Sequence, residues 1–149
     1  MILAVMFWGM LTIQAEKLPP FERGWSDATF EKSSPQSEID YLKSRFHFKV
    51  EVGPYNVKQE KFHLLIPKSY VHEEKWGLFV YVNPGDDAGL PDGYEAILEK
   101  HRLIAIAAYK TGNERNVVER FRLAIDAQFN AVQRFNVDPG RVYVSGFSG

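Results

Sequence analysis

A chain of 149 residues, 45% apolar and 25% charged, has the make-up of one ordinary folded domain rather than a disordered segment. Its 18 basic and 19 acidic residues leave a net charge of −1 and form no Lys/Arg run, so nothing here points to a nucleic-acid partner or an anionic membrane surface. The absence of cysteine excludes disulfides, thiolate metal sites, a cysteine nucleophile and a lipidated-cysteine anchor within these residues.

Residues 1–13 are almost wholly apolar. As a helix they would span about 20 Å, short of the roughly 30 Å hydrocarbon core of a bilayer. A signal peptide over residues 1–15 is expected, with Ala15 of Ile13-Gln14-Ala15 as the small residue before the cut. No Lys or Arg precedes the apolar run, so only the α-amino group supplies positive charge there. The expectation is a secreted or periplasmic protein without a stable membrane anchor.

Residues 16–45 read as a leader followed by a short helix. Pro19-Pro20 and Ser33-Ser34-Pro35 give residues 16–34 little regular structure. Ser34 before Pro35 marks a helix start, and Ile39, Leu42 and Phe46 recur at helical spacing, which predicts a helix over 35–45. The domain proper is expected from residue 46 to 149. Alternation of Phe46, Phe48, Val50 and Val52 predicts a strand ended by Gly53-Pro54, paired antiparallel with a second strand over 61–66.

The runs at 77–82 and 103–108 are continuously apolar, as in strands covered on both faces. Between them Tyr94, Ile97 and Leu98 sit at helical spacing. Residues 117–135 form the longest predicted helix, with Val118, Phe121, Ile125, Phe129 and Val132 on one apolar stripe. Asn136 to Gly140 reads as a turn, and 141–145 as the last strand. The fold class is α/β: an N-terminal antiparallel hairpin leading into a mostly parallel sheet with flanking helices.

Directly after that strand comes Gly146-Phe147-Ser148-Gly149, the first four positions of G-x-S-x-G. A serine hydroxyl is a weak nucleophile at neutral pH. It needs a neighbouring base and donors for the developing oxyanion. A sharp strand-to-helix turn presents it to both, and small residues at 146 and 149 let the backbone fold that tightly.

The segment from Asp138 to Gly149 (DPGRVYVSGFSG) resembles the approach to the nucleophile elbow of α/β-hydrolases. It is most similar to the polyhydroxybutyrate-depolymerase-like, feruloyl-esterase-like and dienelactone-hydrolase-like branches. The likeness in element order reaches back to about Phe46. It implies a partial α/β-hydrolase fold with its C-terminal part absent, and a serine carboxylic-ester hydrolase acting through an acyl-enzyme. It also implies Ser148 as nucleophile, no cofactor, and a small-molecule or polymer ester as substrate. The family's chain order places the acid and histidine after the serine. The 149 residues alone are therefore expected to be inactive.

The resemblance further implies that the loop after 77–82, Asn83-Pro84-Gly85-Asp86-Asp87-Ala88-Gly89, donates one N–H to the oxyanion. The residue after the serine, Gly149, donates the other. Pro84 has no N–H, which leaves Gly85 or Asp86, and Asn83-Pro84 replaces the family's usual His-Gly. Asn113 and Arg115 follow the next strand and are candidates for touching substrate at the same sheet end. His47, His63, His72 and His101 have plain structural explanations and are not expected to be the base. No metal site is expected, Asp86 and Asp87 being neighbouring loop carboxylates. Two other readings fit the same residues: a non-catalytic binding or scaffold protein of this fold, and a related serine peptidase.

Overall fold

A computed structural model of the protein describes residues 22–47 and 51–147. The expected signal peptide, Ser148 and Gly149 lie outside the described residues, as do Phe48 and Val50 of the expected first strand. The elements in chain order are β1 (Gly24–Ala28), a 3-10 turn (Pro35–Ser37), α1 (Ile39–Phe46), a second 3-10 turn (Val57–Gln59), β2 (Phe62–Ile66), β3 (Trp76–Val82), α2 (Tyr94–His101), β4 (Leu103–Ala108), α3 (Val117–Arg134) and β5 (Val137–Gly146).

The five strands form one sheet in the order β1-β2-β4-β3-β5. The class is α/β, as expected, but the sheet is evenly mixed rather than mostly parallel. The β1–β2 and β2–β4 pairings are antiparallel, and β4–β3 and β3–β5 are parallel. Helices cover both faces. Leu64, Leu78, Val80, Ile104 and Ile106 pack against Leu123, Ala127 and Ala131 of α3. On the other face Leu65 and Ala105 pack against Leu98 of α2. This two-sided cover is why β3 and β4 are apolar at successive positions.

Several expectations are corrected. The strands antiparallel to β2 are β4 and β1, the latter within the supposed leader, with Gly24 opposite Ile66 and Ala28 opposite Phe62. The 46–52 segment supplies no strand among its described residues. Phe46 is the last residue of α1, and His47 closes that helix in the left-handed region at φ 55°.

The helix predicted over 35–45 begins as expected, with Ser34 Oγ accepting the Gln36 N–H at 3.1 Å. It is broken at Glu38, whose extended backbone separates the 3-10 turn from α1.

The buried face of α3 is corrected too. Phe121 and Val132 are exposed, while Val118, Leu123, Ala127 and Ala131 are buried together with Arg122, Asp126 and Asn130. Polar residues occupy the inner face because they have partners there. Asp126 accepts the Ser34 N–H at 2.6 Å and the Tyr55 hydroxyl at 2.7 Å. Asn130 donates to the Lys32 carbonyl at 2.9 Å, and the Arg122 guanidinium lies 4.2 Å over the Tyr55 ring. Ser34 and Lys32 thereby fasten the segment before α1 onto α3, and Tyr55 the segment after it.

The expected turn before the last strand is built into β5. Trp76 pairs with Val137 but Leu78 with Val142, so residues 138–141 bulge opposite Gly77. Asp138 Oδ1 accepts the Gly140 N–H at 3.0 Å within that bulge.

Candidate active site

The carboxyl ends of three parallel strands, β4, β3 and β5, deliver three chain segments to one edge of the sheet. Tyr81 is paired with Ser145 and Val82 with Gly146. A β-carbon on residue 146 would lie 2.9 Å from the Val82 carbonyl oxygen, closer than real Cβ atoms come. Gly146 therefore sits where only glycine fits without the strands moving. The chain leaves β5 at this point, with Ser148 two residues on.

The loop after β3 is held by its own side chains. Asn83 Oδ1 accepts the Gly85 N–H at 2.9 Å, and Asn83 Nδ2 donates to Asp87 Oδ1 and to the Gly89 carbonyl, each at 3.0 Å. Asp87 Oδ1 also accepts the Gly89 N–H at 2.9 Å. The Gly85 N–H thus already has an acceptor. Among the described residues the Asp86 N–H has none, so of the two candidate donors it is Asp86 that remains available.

A second loop, 109–116, is stitched onto the first. The Lys110 N–H donates to the Asp86 carbonyl at 2.8 Å and the Asn113 N–H to the Pro84 carbonyl at 3.1 Å. Thr111 Oγ1 donates to the Asn83 carbonyl at 3.0 Å, and the Gly112 N–H to Asp86 Oδ1 at 3.1 Å. A β-carbon on Gly112 would lie 2.5 Å from that carboxylate oxygen. The carbonyls of 83, 84 and 86 are therefore all engaged, which fixes the loop's path. The sequence did not reveal the buried Thr111 or the Asp86 carboxylate in these roles. The only signal was a Gly one residue after a Thr at a strand end.

Asn113 is exposed at this edge. Arg115 is part-buried and its guanidinium is engaged. Its guanidinium makes a two-pronged pair with Glu60 at 2.6 and 3.0 Å, and its Nε meets Glu119 at 2.9 Å. Glu60 foremost, then Glu119, push its pKa above the usual arginine value. A cavity of about 450 Å³ opens beside the end of β5, lined by Val82, Arg120, Phe121, Val144, Gly146 and Phe147 among others.

His63 is on β2, three strand spacings or about 14 Å from β5. Its Nδ1 meets Asp27 Oδ1 at 2.7 Å, and its ring stacks on Trp25 at 4.5 Å. His72 is paired with the Tyr70 hydroxyl at 2.9 Å and precedes β3, whereas His101 ends α2 just before β4. Both stand toward the sheet edge opposite Gly146. His47 is the cap of α1. Among the described residues, no three His, Asp or Glu side chains converge as a metal-binding group, and no helix is long and apolar enough to cross a membrane.

No protein-family model matches the chain, and no curated protein does.

Proposed function

We propose that this chain carries the nucleophile and the oxyanion loop of a serine carboxylic-ester hydrolase of the α/β-hydrolase type, with Ser148 as nucleophile. The observation that carries the reading is the approach of Gly146 to the Val82 carbonyl at the ends of neighbouring parallel strands. It makes residue 146 an obligatory glycine at the first position of G-x-S-x, directly beside the loop that would hold the oxyanion.

In this reading Ser148 Oγ attacks the ester carbonyl carbon and its proton passes to a histidine that follows in the reading frame. The tetrahedral oxyanion accepts the N–H groups of Gly149 and Asp86. Gly85 is the weaker candidate because Asn83 already accepts from it. The alcohol then leaves, and water releases the acid from the acyl-enzyme, with no cofactor required. Asn113 borders the substrate at the same edge. Arg115 shapes the loop through Glu60 and Glu119. The apolar 1–13 stretch supports export, which would bring the enzyme to small-molecule or polymeric esters outside the cytoplasm.

The test is hydrolysis of short p-nitrophenyl acyl esters by the full-length product of the reading frame. Turnover that falls by about a millionfold, to background, in Ser148→Ala is the expected result. Equal rates in the two proteins would overturn the reading.

A further inference from the structure

The edge strand β1 places a carboxylate at the centre of a cluster outside the loops just described. Asp27 accepts from the Tyr109 hydroxyl at 2.9 Å and from His63 Nδ1 at 2.7 Å, and pairs with Lys61 Nζ at 2.6 Å. Tyr109 belongs to the segment that follows β4. Its N–H donates to the Lys61 carbonyl at 2.9 Å, so it is pinned at both backbone and phenol. It packs against the small apolar cluster of Tyr81, Ala88 and Ala107, and Ala88 lies inside the loop after β3. The next residue, Lys110, sits in the left-handed region at φ 57° and donates its N–H to the Asp86 carbonyl. A non-glycine residue holds that conformation only where its surroundings fix it.

We propose that Asp27 is a positioning residue for the oxyanion loop, acting through the Tyr109 hydroxyl. The inference rests on the reading of Asp86 as an oxyanion donor. Asp27 fixes the Tyr109 phenol, Tyr109 packs against the cluster that contains Ala88, and Lys110 and Gly112 then hold Asp86 by its carbonyl and its carboxylate. No atom of Asp27 touches substrate. A group held this way matters to rate because a donor displaced by about 1 Å loses much of its value at the transition state.

The variants are Tyr109→Phe, which keeps the ring and removes only the hydroxyl, and Asp27→Asn. Amide hydrogen exchange in each is compared with the parent chain, and ester turnover is measured in the full-length protein. The expected result is exchange about tenfold faster at the Lys110 and Gly112 amides, with the β3 and β4 core amides unchanged. The accompanying kcat should fall about ten- to a hundredfold while KM stays within about twofold. Unchanged exchange at Lys110 and Gly112 in both variants overturns the proposal whatever the turnover. So does faster exchange with an unchanged kcat in an active enzyme. A parent protein without ester turnover, but with the exchange response intact, overturns the esterase reading and leaves Asp27's hold on the loop standing.

Discussion

The Val82 carbonyl oxygen and the place where Gly146 would carry a β-carbon are 2.9 Å apart. The atom in the way is backbone within a paired strand, so it has no rotamer through which to yield. Gly146→Ala should therefore part the ends of β3 and β5 and destabilise the fold by about 1–3 kcal/mol. Gly53→Ala is the contrasting variant. Its new methyl would meet only the Glu119 side chain at 3.4 Å, and the change should stay within about 0.5 kcal/mol. Urea midpoints of the two variants decide the matter. Equal midpoints would mean that the strand ends separate freely.

That glycine was legible in the sequence because a close backbone approach leaves glycine as its only residue. The strands β3 and β4 were legible because cover on both faces makes every position apolar. What escaped has physical causes too. Gly24-Trp25-Ser26-Asp27-Ala28 is poor in β-branched residues, and it becomes a strand through pairing with β2 and through Asp27's contacts with Lys61 and His63. The inner face of α3 was misread because hydropathy scores Arg122, Asp126 and Asn130 as solvent-facing. Asp126 is buried by virtue of Ser34 and Tyr55, 92 and 71 residues away. Periodicity carries no information about partners that distant. The sequence left Gly85 and Asp86 equivalent as candidate donors for another reason: whether the Asn83 side chain folds back onto its own loop to accept the Gly85 N–H is a matter of rotamer, which residue order does not show.

Asp126 has no solvent exposure and accepts from two donors. Tyr55→Phe removes one charge-assisted hydrogen bond and should cost about 1.5–3 kcal/mol. Asp126→Ala leaves both the Ser34 N–H and the Tyr55 hydroxyl without an acceptor and should cost more, roughly 3–5 kcal/mol. Burial, and then Asp126, push the Tyr55 phenol well above its ordinary 10.0. The folded state therefore keeps a proton that the unfolded state loses, and stability declines as pH rises past about 10. Tyr55→Phe lacks that share of the decline. Chemical denaturation at neutral and alkaline pH reads both effects, and a Tyr55→Phe protein as stable as the parent at neutral pH would show that the bond contributes nothing.

Arg115 and Glu60 form the best-shielded ion pair on the sheet's carboxyl edge, with side-chain exposures of 16% and 13%. Glu119 holds the same guanidinium from the first turn of α3. Glu60→Gln removes the charge from a two-pronged partner, leaves Glu119 as the only carboxylate on Arg115, and should cost about 2–3 kcal/mol. Arg115→Ala strands both carboxylates and should cost at least as much. The two losses should not add, because each removes the same contact. A double-mutant cycle on denaturation free energies reads the coupling, and strict additivity would place these side chains in independent roles.

Asp27 sets the expected acid response. Its hydrogen bonds with Lys61 first, then His63, hold the carboxyl far below its ordinary 3.8. A depressed folded-state value means that the unfolded chain takes up the proton first. The contribution is complete above about pH 4 and drains away as pH falls toward the folded-state value. The side chain is 38% exposed, so water and salt weaken the effect, and 1 M NaCl should blunt it. Asp27→Asn has no charge to lose. Its urea midpoint should start lower than the parent's at pH 7 and draw closer to it by pH 3. Parallel pH profiles for the two proteins would mean that β1 is fastened to β2 by its backbone ladder, with the cluster around Asp27 adding nothing to the fold.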